Sequence, residues 1–75
     1  MSGRRQFTAI IEHENAGYVA LCPELDVASQ GETIEEAHAN LREAVELFLE
    51  TASESEIEMR LHDEVFVTRL EVSVG

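Results

Sequence analysis

One cysteine, three histidines and sixteen acidic side chains are the groups in this 75-residue chain that could do chemistry. Cys22 would be a nucleophile if its thiolate were favoured. It ends the apolar run YVALC directly before Pro23, a setting in which a free cysteine acts as a small buried hydrophobe. His13, His38 and His62 are spread along the chain with no local ligand spacing. His38 falls at the edge of a helical apolar stripe and is expected to pack there, partly buried. Paired carboxylates could hold a metal or share a proton, but so acidic a chain offers such pairs by composition alone. No phosphate-binding glycine loop, G-x-S-x-G, C-x-x-C or H-E-x-x-H occurs. No catalytic residue, cofactor site or metal site is expected, and an enzyme is not expected.

The charge is one-sided: 16 acidic residues stand against 5 basic ones, all arginine, for a net charge of −11. Such a chain repels nucleic acid and anionic membranes, so neither direct nucleic-acid binding nor a membrane partner is expected. The charge serves solubility, or it speeds encounter with a basic protein. The opening MSGRRQF has no apolar signal core and no run is long enough to span a bilayer, so a cytoplasmic protein is expected.

Positioning falls to a few elements. RQFTAIIEH alternates, with Phe7, Ala9 and Ile11 on one side, and reads as a strand. ENAG is a short polar loop in which Gly17 is able to take positive φ. YVALC is the second strand of a hairpin; Pro23, which has no N–H to donate, stops it. LDVASQ is a shorter third strand, and Gly31 turns the chain.

Thr33 then caps a helix that runs to about residue 51, and Thr33 with Glu36 forms a capping box. Its apolar stripe is Ile34, Ala37, Leu41, Ala44, Val45, Phe48, Leu49 and Ala52. Glu32, Glu35 and Glu36 suit the positive end of the helix dipole. Glu43, Glu46 and Glu50 face outward, and Leu47 interrupts that polar face. These four are the candidate partner-binding residues. TASESEIEMRLHDE reads as a polar connection, and VFVTRLEVSV as a last strand with Phe66, Leu70, Val72 and Val74 on one side.

The expected fold is α+β: one domain over residues 1–75, in the order β-β-β-α-β. An antiparallel three-stranded meander is joined by a fourth strand, order 3-2-1-4, with the helix on one face. A core this small is marginal, and the second sheet face is left uncovered. A homodimer or higher oligomer is therefore expected.

The stretch GYVALCPELDVASQGETIEEAHANLREAVELFLE resembles the HicB family of antitoxin-type proteins. The resemblance rests on Gly17-Tyr18, on Cys22-Pro23-Glu24-Leu25, on Gln30-Gly31-Glu32-Thr33, on Glu36-Ala37 and on Glu43-Ala44. It implies a partial RNase H-like fold with no carried-over catalytic residue. It also implies a partner, a small basic HicA-type toxin that cleaves mRNA and is neutralised by being covered. Longer members add a DNA-binding region; no basic recognition helix is visible here.

Two functions follow from this resemblance. The first is a non-enzymatic antitoxin. The alternative is a stand-alone dimeric module of the same fold, regulatory or scaffolding, with no cognate toxin. The turn PELDVASQG keeps the alternative open, because it lacks an extra glycine that many toxin-paired relatives carry. An RNase H-like nuclease is a distant third.

Overall fold

A computed structural model describes residues 5–62 and 64–75. The expected absence of a leader partly concerns residues 1–4, which lie outside the described residues. The chain is α+β: a three-stranded antiparallel sheet and two helices. β1 (Ile10–Glu14), β2 (Gly17–Cys22) and β3 (Val27–Gly31) form a meander in the order β1-β2-β3. The register places Ile11 opposite Ala20 and Ala20 opposite Ser29. Alternation then puts Ile11, Tyr18, Ala20, Cys22, Val27 and Ser29 on one face. Ile10, Val19, Leu21 and Ala28 take the other.

The first hairpin is tighter than expected. Asn15 and Ala16 alone connect β1 and β2, and Asn15 takes the positive φ of 54°. Gly17 does not; a side chain there is excluded because a Cβ would lie 2.7 Å from the Gly31 carbonyl oxygen. Pro23 stands just past β2, as its missing N–H requires. The turn of residues 23–26 closes through Asp26 at φ 57° and a bond from the Leu25 N–H to the Cys22 carbonyl.

α1 (Ile34–Thr51) starts as its sequence directs. The Thr33 hydroxyl accepts from the Glu36 N–H at 3.0 Å, and the Glu36 carboxylate accepts from the Glu32 N–H at 2.6 Å. Gly31 lets this helix start sit tight on β3, since a Cβ there would come 2.6 Å from the Ala37 nitrogen. Ala37, Leu41 and Val45 bury against Ala20, Cys22 and Leu25, and Phe48 packs beside them. Four residues of the expected stripe stay outside this core: Ile34 is half exposed, Leu49 more than a third, and Ala44 and Ala52 are only partly buried. The reason is the helix's lateral position. α1 lies mainly along β3, less along β2, and barely touches β1.

Two expectations about the C-terminal third need correction. The polar connection contains a second helix, α2 (Glu54–Arg60), capped by Ser53, whose hydroxyl accepts from the Glu56 N–H. Arg60 stacks over Phe48 with 5.2 Å to the ring centroid and donates to the Leu25 carbonyl. The His62 N–H bonds the Glu24 carbonyl at 2.7 Å. The expected fourth strand is not formed: residues 64–75 pair with nothing as a ladder, and Phe66, Leu70 and Val74 are each more than four-fifths exposed. A strand is stable only against a neighbouring edge, and a single copy does not bring one to this segment.

Candidate partner-binding face

The outer surface of α1 brings the four expected residues together. Glu43, Glu46, Leu47 and Glu50 line one shallow depression of about 540 Å³ beside β3, with Ser29, Asn40 and Ala44 completing it. Helical spacing explains the grouping, because positions three and four apart are neighbours on one face. Asn40 fixes the helix over the sheet edge by donating its side-chain N–H to the Gln30 carbonyl at 2.7 Å. Asn40, Ser29 and Ala44 were not legible as part of this surface. Their role depends on where the helix comes to rest across β3, which periodicity does not set.

Leu47 is 60% exposed; a lone exposed leucine is ordinary, and this one is set apart only by Glu43, Glu46 and Glu50 lining the same depression. Glu46 pairs with Arg42 at 3.6 Å across one helical turn, an exposed ion pair of little energetic weight. The acids at the two ends of α1 differ in kind. Glu35 and Glu36 sit in the first turn, where the helix dipole favours them. Glu50 sits in the last turn, where the dipole opposes it, and that turn has no basic residue.

A second concavity, about 480 Å³, opens between α1 and the chain entering β1. Phe7, Ala9, Leu41, Val45 and Leu49 give it apolar walls, and Arg5, His38, Arg42 and Glu46 line it as well. His38 is exposed there instead of partly buried, because the helix leans away from β1.

The structural motif residues lie elsewhere. Gly17, Pro23, Gly31, Thr33 and Glu36 shape turns and the helix start and touch neither concavity. Sequence reading missed Glu24, whose relative exposure is only 8%. Its carboxylate accepts from the Thr8 N–H at 2.9 Å and the Thr8 hydroxyl at 2.5 Å. Burial pushes this carboxyl up, but the two bonds from Thr8 outweigh it, so the group ionises below its ordinary value. Burial pushes the Cys22 thiol up, with Glu24 adding to the shift and the Leu25 backbone opposing it. A buried thiol so disposed is a poor nucleophile. Among the described residues, no three His, Cys, Asp or Glu side chains gather as metal ligands, and no helix is long and apolar enough to cross a membrane.

Comparison with known proteins adds a family. A UPF0150 protein of Thermotoga maritima is 39% identical over 72 residues, covering 92% of this chain and 92% of its own. A UPF0150 protein of Synechocystis sp. is 49% identical over 49 residues, 63% of this chain and 68% of the relative. A second Synechocystis UPF0150 protein is 47% identical over 47 residues, and the chain spans 60% of its length. No family model and no solved structure matches the chain. On the strength of these relatives, with an alignment to the Thermotoga protein that runs nearly end to end, the chain belongs to the UPF0150 family.

Proposed function

We propose that this protein is a non-enzymatic, cytoplasmic, HicB-like antitoxin that neutralises a small basic HicA-type mRNA-cleaving toxin. The outer face of α1 is the contact. One observation carries the reading: Glu43, Glu46 and Glu50 surround an exposed Leu47, and Glu50 stands where the helix dipole disfavours an acid. Helix stability does not account for that placement. An apolar centre within a charged rim is the anatomy of a protein-binding patch. A protein that cleaves RNA needs a positive surface for phosphates, and complementary charge lets an acidic helix occupy it.

The fold completes the proposal. Residues 65–74 alternate, with Phe66, Leu70, Val72 and Val74 on one side and Thr68 among them, and β1 has a free edge. A fourth strand on that edge gives the order 3-2-1-4 and the partial RNase H-like arrangement.

An RNA-cleavage assay tests the function. The basic protein encoded beside this chain is purified, and its cleavage of mRNA is followed with an equimolar amount of this protein. Cleavage is expected to stop, and to resume with the Glu43→Lys, Glu46→Lys double variant. Undiminished cleavage with the unaltered chain overturns the reading.

A further inference from the structure

We propose that residues 65–74 of one copy form the fourth strand on the free β1 edge of a second copy, in a reciprocal two-fold exchange. This rests on the fourth-strand reading above and names which molecule supplies the strand. The first observation is the segment itself. Phe66, Leu70, Val72 and Val74 fall on one side of an alternating run, yet their exposures are 85%, 86%, 64% and 89%. An alternating segment with one apolar side left open this way invites pairing with another chain.

The second observation is the groove. α1 leans toward β3, so it covers β1 less than the other strands, although Ile11 still packs against the core. Phe7, Ala9, Leu41, Val45 and Leu49 wall the space that results. A strand laid along β1 turns alternate side chains toward α1. Phe66, Leu70 and Val72 would then enter that apolar space, while Arg69, Glu71 and Ser73 would face the opposite side of the sheet.

The third observation concerns reach and direction. The chain is anchored at His62 by its bond to Glu24, residues 66–75 are exposed, and the long dimension of the molecule is 50 Å against 28 and 19 Å for the others. A two-fold pair satisfies both segments and both β1 edges at once and leaves no copy open for further addition.

The test uses the full chain. Equal amounts of 13C-labelled and unlabelled protein are mixed, unfolded and refolded together. Isotope-filtered NOE spectra are then recorded, with sedimentation in parallel. The expected result is a species near twice the 8.4 kDa chain mass, with intermolecular NOEs from Phe66 and Leu70 to Ala9, Val45 or Leu49. Only intramolecular NOEs between these groups would overturn the exchange while keeping the fourth strand. A segment with no NOEs to the groove would overturn both.

Leu70→Asp supplies an independent reading. Leu70 is exposed in one copy, so the substitution leaves the monomer's helix and sheet signals unchanged. In the exchanged pair it buries a carboxylate against α1, and the dimer dissociation constant should rise at least about a hundred-fold. An unaltered dimerisation constant would contradict the proposal.

Discussion

Glu24 and Thr8 are 16 positions apart, yet the Glu24 carboxylate takes both the backbone N–H and the hydroxyl of Thr8. The contact ties the β2–β3 turn to the chain that enters β1. It also anchors the C-terminal third, because the His62 N–H bonds the carbonyl of this same Glu24.

Thr8→Val keeps the shape of the side chain and removes one bond to a buried carboxylate. It should cost about 1.5–3 kcal/mol at neutral pH, the range for hydrogen bonds to charged groups. The Glu24 carboxyl ionises below its usual 4.5, so its stabilising effect is complete above that value and is lost as pH falls through the lower folded one. Urea titrations at pH 7 and in the acid range check both parts. The penalty of Thr8→Val should shrink on acidification; a penalty equal at both pH values would show that the bond does not depend on charge.

Gly31 and Thr33 act on the same helix start by different means. Thr33→Ala removes one acceptor and should cost about 1 kcal/mol. Gly31→Ala forces a Cβ to within 2.6 Å of the Ala37 backbone, which α1 can relieve only by lifting from β3. Its cost should be larger, up to about 3 kcal/mol, as for overpacked cores. Equal denaturation midpoints for the two variants would mean that helix and strand are not in tight contact here.

Cys22 should resist thiol reagents in the folded protein. Its side chain is fully buried and its thiol is held above the ordinary range, so the thiolate is scarce. Colour release from a disulfide reagent should be slow and should follow the global unfolding rate as urea is added. Fast reaction in native buffer would indicate an opening at the β2 end.

Legibility varied with how local each signal was. The α1 start was readable because Thr33, Glu36 and Gly31 act within a few residues of one another, and the meander because its turns are short. α2 was missed although Ser53 and Glu56 repeat the capping spacing; seven residues with few apolar positions give almost no periodicity. The 65–74 segment was read as a last strand from its alternation, but it forms no ladder, because a strand also needs a paired edge that local alternation does not supply. Gly17 looked like a turn residue and proved to be a close-approach residue, a distinction that depends on Gly31 lying across the ladder. Of the candidate surface, Glu43, Glu46, Leu47 and Glu50 were visible, whereas Ser29, Asn40 and Ala44 join it only through the lateral position of α1.

Glu50→Lys should separate stability from binding. A cation in the last turn of α1 complements the dipole, so the free protein should gain about 0.3–1 kcal/mol. The same change should weaken the complex with a basic partner. A thermal melt and a binding isotherm on one preparation decide the matter, and parallel loss of both would mark Glu50 as merely structural.

The association rate with the proposed basic toxin, purified and measured at low and high salt, tests the central claim most directly. Screening shortens the field to about 8 Å at physiological ionic strength. The on-rate should therefore fall steeply as salt rises, and the fall should be much weaker for the Glu43→Lys, Glu46→Lys variant. Leu47→Ala should leave the on-rate nearly unchanged and raise the off-rate. Identical kinetics for all three proteins at every salt concentration would contradict a role for this face of α1.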